Sequence, residues 1–168
     1  MQDIKKTCAH DKTALVKRAR ERLLYCLDRR LHSERELRDK LYGKYSPDII
    51  DSAIYEIASL GLIDDLKFAI AFAEHRKDVQ KKGPYKIRQE LFSKGVAKDI
   101  IDEAIYTVFS DENSQIESAV LVAEKYRNQL DTEEGKKRCF AALVRKGFSY
   151  SVAKSALSQV CDCEIEQD

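Results

Sequence analysis

Three histidines, five cysteines, two adjacent aspartates and a run of cations between Arg76 and Arg88 are the side chains best suited to chemistry in this sequence. His10, His32 and His75 stand in separate settings with no serine or cysteine motif around them, whereas nucleophilic catalysis needs a nucleophile, a base and an orienting group in mutual reach. Asp64 and Asp65 carry the charge for a metal ion, yet neighbours in sequence diverge around a helix start, and capping backbone donors there is the simpler role. Cys161 and Cys163 would supply half of a zinc site, but zinc wants four converging ligands and no histidine is near in sequence. Cys26 and Cys139 fall at apolar helical positions, and an odd total that includes Cys8 fits reduced thiols. The glycines at 43, 61, 83, 95, 135 and 147 are isolated, so none builds a phosphate-cradling loop. The residues therefore point away from an enzyme and imply no cofactor and no metal.

The strongest functional signal is electrostatic. Arg76, Lys77, Lys81, Lys82, Tyr85, Lys86 and Arg88 span a helix end, a Gly83-Pro84 turn and the next helix start, where side chains and backbone donors can meet phosphates or a partner's carboxylates. A lysine-rich loop that keeps a helical protein in solution accounts for the same residues. Further cations stand at Arg29, Arg30, Arg35 and Arg38, and at Lys136, Lys137, Arg138, Arg145 and Lys146. Net charge decides little, since Lys+Arg 30 against Asp+Glu 29 leaves +1. Distribution is more informative: residues 67–98 hold nine cations, 99–134 ten acids, and 135–160 six cations with no acid. Alternating blocks can place one sign on one face, although an ordinary solvated surface produces them as well.

The elements that would position these residues recur. The stretch from Glu34 to Ile57 returns from Tyr85 to Val108, with Leu37 and Leu41 on Ile87 and Leu91, and Asp48-Ile49-Ile50-Asp51 on Asp99-Ile100-Ile101-Asp102. A fainter copy follows Arg138, where Leu143, Lys146-Gly147 and Ala156-Leu157 fall on Leu91, Lys94-Gly95 and Ala104-Ile105. A period of about fifty residues belongs to stacked arrays whose units bury their apolar faces on one another.

Helical punctuation repeats three times. Leu15, Val16, Ala19, Leu23, Cys26 and Leu27 form a stripe. Ser33 and Glu36 have the spacing of a reciprocal capping box, and Pro47 can open a helix that Gly61 closes. Asp64 and Asp65 start a helix striped by Phe68, Ala71, Phe72, His75 and Val79. Pro84 restarts the chain, and Ile101, Ala104, Ile105 and Val108 stripe the sixth helix. Asn113 or Ser114 begins a helix running through Tyr126, Thr132 caps the next, and Ser149 the last. The expectation is an all-α, elongated and curved array of three tandem three-helix repeats, nine helices in all. A polar tail covers 1–12, the repeats 13–63, 64–111 and 112–160, and an acidic tail 161–168.

Residues 29–41 (RRLHSERELRDKL), 61–76 (GLIDDLKFAIAFAEHR) and 82–96 (KGPYKIRQELFSKGV), in this order and spacing, resemble the RecX regulatory proteins. The likeness covers residues 18–108 well and the third repeat by helix pattern. Lys81 stands where many members have a second glycine before the Gly83-Pro84 pair, and Tyr45 where the repeat would place the glycine after Lys44. What the resemblance implies is a modulator of the RecA recombinase that lies along its filament on single-stranded DNA and impedes filament growth, ATP turnover and strand exchange. Single-stranded DNA would be met directly or through RecA, by a monomer with no catalysis of its own.

Two other classes compete. Short helix pairs joined by a glycine turn are similar to helix-turn-helix units, which would make the chain a stand-alone DNA-binding regulator, although the second helices carry acids as well as bases. The other is a helical scaffold for a protein partner, indifferent to DNA and RecA. No run approaches the roughly 18 apolar residues of a membrane span, and residues 1–12 are too polar for a signal-peptide core. The expected location is the cytoplasm, with no membrane partner.

Overall fold

The computed structural model describes residues 2–162. Among them are nine α-helices, one 3₁₀ helix and no strand: α1 (Gln2–Arg29), α2 (Glu34–Leu41), α3 (Pro47–Ser59), α4 (Asp65–Asp78), α5 (Pro84–Ser93), α6 (Lys98–Val108), α7 (Glu112–Ala123), the 3₁₀ helix (Glu124–Gln129), α8 (Glu133–Arg145) and α9 (Tyr150–Asp162). This is the all-α repeat fold expected from the internal copies. No helix among the described residues is long and apolar enough to cross a membrane.

The chain divides into two compact units, one of residues up to Ala69 with Lys94–Ala97, the other of Ile70–Ser93 with Lys98 onward. In the first, the stripe of α1 packs on α2 and α3: Val16, Ala19, Leu23, Leu37, Leu41, Ile50, Ala53, Ile54 and Ile57 are buried together. In the second, α7, α8 and α9 bury Ala119, Val122, Cys139, Leu143, Phe148, Val152, Ala156 and Val160, while α5 and α6 bury Ile87, Leu91, Ile101, Ala104 and Ile105. Removing the leucine, isoleucine, valine and phenylalanine side chains among them from water supplies about 1.5–3 kcal/mol each, which is what selects the helix faces.

Several helix ends differ from the sequence reading. α1 extends through residues read as a polar tail; glutamine, lysine and alanine sustain a helix on propensity even without an apolar stripe. α7 is capped by Asp111, which accepts from the Asn113 and Ser114 amides, so the cap lies just before the residues proposed to start the helix. α7 also stops at Ala123, and the chain tightens into the 3₁₀ helix through Tyr126. In α4 the buried face is Phe68, Ala69 and Ala73, whereas Ala71, His75 and Val79 are exposed. Small and aromatic residues lie almost all round this helix, so spacing alone could not choose the face. Residues 163–168, including Cys163, lie outside the described residues.

The Ser33 cap is half of a box. Its hydroxyl accepts the Glu36 amide at 3.2 Å and donates to the Lys94 carbonyl at 2.8 Å. The Glu36 carboxylate does not return to the cap but binds Arg30 and Lys94. The two aspartates divide the capping work: Asp64 accepts the Lys67 amide at 2.8 Å, and Asp65 accepts the Glu34 amide at 2.9 Å, capping α2 instead of its own helix. Burial raises the Asp65 carboxyl, against the pull of that amide. Thr132 and Ser149 cap α8 and α9 as their positions foretold.

Candidate interaction surface

The basic turn between α4 and α5 is held by a backbone clasp. The Gly83 amide donates to the Lys146 carbonyl at 2.8 Å and the Tyr85 amide to the Gly147 carbonyl at 3.1 Å. A Cβ on Gly83 would stand 2.4 Å from the Gly147 carbonyl atoms, so only glycine lets the two turns approach. Just before the clasp, Lys81 has φ +49°, a left-handed conformation that suits glycine and costs an ordinary side chain about 1–2 kcal/mol. Its amide still donates to the Lys77 carbonyl at 3.1 Å, closing the helix end. The departure at Lys81 thus leaves the turn intact but strained.

Four of the seven turn residues are engaged within the protein. Arg76 pairs with Glu90 at 2.9 Å and lies over the Phe72 ring at 4.6 Å. Lys82 meets the other oxygen of Glu90 at 2.6 Å. Burial alone would raise the Glu90 carboxyl, but Lys82 and Arg76 outweigh it and hold it below the usual carboxylate range. Lys77 donates to the Val108 carbonyl at 2.9 Å, tying off α6, and sits 5.2 Å from the Phe109 ring centre. Arg88 is bonded to Asp102. The remaining three, Lys81, Tyr85 and Lys86, have no side-chain hydrogen bond or ion pair among the described residues, and Tyr85 is exposed. Tyr85 lies in a shallow cleft of about 570 Å³ with Pro84, Tyr106, Phe109 and Val152.

The secondary cations divide in the same way. Arg38 bridges Glu34 at 2.7 Å and Asp51 at 2.6 Å, and those bonds, Asp51 first, raise its already high pKa. Arg30 binds Glu36 at 2.9 Å, and the stem of Arg35 lies where a side chain on Gly95 would go. Lys136 and Arg138 make surface pairs with Glu133 and Glu134. Lys146 donates to the Gln80 carbonyl at 2.7 Å, and burial, with Lys125 and Lys82 nearby, lowers its pKa. Lys137 and Arg145 are exposed, and Arg29 hydrogen-bonds Tyr25 at 3.0 Å.

Sequence reasoning passed over a repeated pattern of exposed aromatics. Tyr42 and Phe92 follow the matched leucines and are 82% and 72% exposed; Tyr55 and Tyr106 follow the matched isoleucines and are 76% and 77% exposed. The repeat register carried this signal, since each pair occupies equivalent positions. It also passed over Arg22, Tyr25 and Lys40, which join Arg29 and Arg30 around a cleft in the first unit. Among the described residues no cluster of histidine, cysteine and acid could hold a metal. Burial, with Cys161 nearby, raises the Cys139 thiol above its ordinary value, which disfavours the reactive thiolate.

Tandem three-helix repeats with capped helix starts, internal ion pairs and exposed basic and aromatic residues define a helical-repeat protein. Comparison with known proteins places it more narrowly. Residues 19–55 match the first three-helix domain of RecX and residues 64–105 the second. Regulatory protein RecX of Clostridium botulinum (strain Eklund 17B / Type B) is 32% identical over 92% of this chain and 74% of its own length. That of Bacillus velezensis is 35% identical over 91% of this chain but 58% of its own length. A crystal structure of regulatory protein RecX superposes with TM-score 0.81 at 26% identity, covering 89% of this chain and 75% of that one. RecX from Lactobacillus salivarius shares the fold, with TM-score 0.79 at 24% identity, over 88% of this chain and 97% of its own. The chain belongs to the RecX family of regulatory proteins.

Proposed function

We propose that this protein binds the RecA recombinase filament on single-stranded DNA and restrains its growth, its ATP hydrolysis and strand exchange, in DNA repair and recombination in the cytoplasm. The observation that carries the reading is family membership over nine-tenths of the chain, with relatives named as regulatory proteins. Its mode is binding without catalysis. A filament offers the same surface at every protomer, and a chain that repeats the placement of Tyr42 and Phe92, and of Tyr55 and Tyr106, can engage it at more than one point. Linked weak contacts then add through effective concentration. The three-repeat division at 13–63, 64–111 and 112–160 belongs to the same proposal, each repeat contributing one set of contacts. Within the basic turn, Lys81, Tyr85 and Lys86 are the contacts we favour, because the other four already have partners in the fold.

The test is RecA-dependent ATP hydrolysis on single-stranded DNA titrated with this protein. Hydrolysis should fall at less than one molecule per RecA protomer. An unchanged rate at equimolar protein refutes the proposal.

A further inference from the structure

Tyr25 is one of eight tyrosines in the chain and the one, among the described residues, whose hydroxyl accepts a hydrogen bond from a cation. Arg29, one turn further along α1, donates to it at 3.0 Å and holds its guanidinium carbon 5.7 Å from the ring centre. The side chain is nevertheless open to solvent, at 62% exposed. It stands in a cleft of about 560 Å³ in the first unit, lined also by Arg22, Arg30, His32, Lys40 and the half-buried Cys26. The loop that carries Arg30 and His32 is fixed, since the buried His32 ring has Nδ1 2.9 Å from the Arg30 carbonyl oxygen and donates to it.

Cations and acids are sorted round this tyrosine. Arg22 and Arg29 lie three residues before it and four after, Glu21 and Asp28 four before and three after, so at 3.6 residues per turn the arginines fall on one side of Tyr25 and the acids on the other. The arginines line the cleft and the acids do not. Arg30 is taken by Glu36 at 2.9 Å and by the Leu31 carbonyl at 2.8 Å, whereas Arg22 and Lys40 are exposed and have no ion pair among the described residues. A neutral hydroxyl engages Arg29 and leaves the other two without an anion. A phosphate on the same oxygen brings about −1.5 to −2 charge at pH 7 and three strong acceptors, and opposite an arginine cluster it gains about one to three charge-assisted hydrogen bonds. Because a helical side chain slants toward the helix N-terminus, that phosphate lies over the turn of Arg22 and clear of the last carbonyls of α1, whose partial negative charge would repel it.

We propose that Tyr25 is a phosphorylation site whose phosphate folds onto Arg22, Arg29 and Lys40, filling the cleft with an anion of the chain's own. The donor is ATP held by a tyrosine kinase. The phenol oxygen forms a bond to the γ-phosphorus, the bond from that phosphorus to the bridging oxygen breaks, ADP leaves with the electron pair, and the phenol proton passes to a base of the kinase. A phosphatase, with water, returns the hydroxyl and releases inorganic phosphate. The modification switches the cleft between open and self-filled, and it stands or falls apart from the proposed action on RecA.

The experiment treats the full chain with a bacterial tyrosine kinase and ATP, maps the phosphopeptides by mass spectrometry and follows their loss to a broad-specificity phosphatase. Tyr55 and Tyr106, both exposed and with no cation on their hydroxyls, are the internal standards. Phosphate should enter at Tyr25 and leave it about tenfold more slowly than it leaves Tyr55 or Tyr106, a difference that one charge-assisted hydrogen bond supplies. Phosphotyrosine introduced during translation in place of Tyr25 or of Tyr55 gives a second measure that needs no kinase. By phosphorus NMR its second pKa, ordinarily about 6, should be lower in place of Tyr25 than of Tyr55, and Arg22→Ala with Arg29→Ala should abolish the difference. Inorganic tripolyphosphate should bind the unmodified chain more tightly than the phosphorylated one. All the residues replaced are exposed, and circular dichroism checks the helix content of each variant. Equal phosphatase rates and equal pKa values at the two positions overturn the proposal, as does a kinase that modifies Tyr55 and Tyr106 and leaves Tyr25 bare. Equal tripolyphosphate binding before and after modification overturns the switch.

Discussion

Arg88 on α5 closes on the carboxylate of Asp102 on α6, and the relationship repeats one already present in the first repeat, where Arg38 of α2 meets Asp51 of α3 at 2.6 Å. Each pair joins the second helix of a repeat to its third, so a residue that reads as a partner-facing cation in the sequence is a brace in the fold. Both side chains of the Arg88 pair are 39–48% exposed, and solvent screens much of their attraction. A double-mutant cycle on Arg88→Ala and Asp102→Ala should give a coupling of about 0.5 kcal/mol, reduced at high salt. Under the proposed action on RecA, inhibition should suffer less from Arg88→Ala than from Lys86→Ala, whose ammonium has no partner in the described residues. The reverse order would show that the brace opens to meet the filament.

Lys81 tests turn geometry apart from charge. Its positive φ is the conformation glycine adopts at little cost, so Lys81→Gly should stabilise the chain by about 0.5–1 kcal/mol despite the added freedom of the unfolded backbone. A thermal melt checks this directly. Lys81→Ala removes the same charge and keeps the strain. If the charge matters for RecA, the two variants should lose the same inhibition while differing in stability.

How much of this was legible before the structure depends on what each signal measures. The repeats and most helix starts could be read because leucine periodicity, prolines and capping side chains act over a few residues. The buried face of α4 could not, because Phe68, Ala69, Phe72 and Ala73 compete with Ala71 and Val79 for it and only tertiary packing decides. Tyr45 marks another limit. In the first repeat the left-handed glycine is Gly43, two residues after Leu41, whereas Gly95 and Gly147 come four after Leu91 and Leu143. Tyr45 then packs at the edge of the core, so the missing glycine is an earlier helix end with a different turn. The basic turn was visible as charge, but Glu90 and Asp102, which occupy Arg76, Lys82 and Arg88, lie eight to fourteen residues from the cations they hold. Sequence shows where cations stand and not which acids reach them.

Glu36 should set the acid sensitivity of the first unit. Burial would raise its carboxyl, but hydrogen bonds from Arg30 and Lys94 outweigh that and hold it at about 2, below its ordinary 4.5. Because the folded value is depressed, the stabilisation is complete above pH 4.5 and is lost as pH falls through that window toward 2. The side chain is only 16% exposed, and the full contribution is at most about 3 kcal/mol. Urea melts of Glu36→Gln should show lower stability than the parent at pH 7 and a flatter decline between pH 4.5 and 2. Parallel declines in the two proteins would place the acid sensitivity elsewhere.

Gly83 and Gly43 separate two reasons for needing glycine. Gly43 has φ +73° with nothing within 4 Å of the Cβ position, so Gly43→Ala should cost only the backbone strain, about 1 kcal/mol. Gly83 is outside the left-handed region, but its Cβ would meet the Gly147 carbonyl at 2.4 Å and the Phe148 amide nitrogen at 2.6 Å. Both obstacles are backbone and cannot swing aside. Gly83→Ala should therefore push the turns apart, stretch the bonds from Gly83 and Tyr85 to Lys146 and Gly147, and cost about 2–3 kcal/mol. Amide hydrogen exchange distinguishes the cases by place: Gly83→Ala should speed exchange at Gly83, Tyr85 and along α5, and Gly43→Ala around α2 and α3. If Lys81, Tyr85 and Lys86, which flank the clasp, are the proposed RecA contacts, Gly83→Ala should also weaken RecA inhibition with every one of those side chains still present. A variant that exchanges as slowly as the parent at the Tyr85 amide would show that the two turns are not clasped in solution.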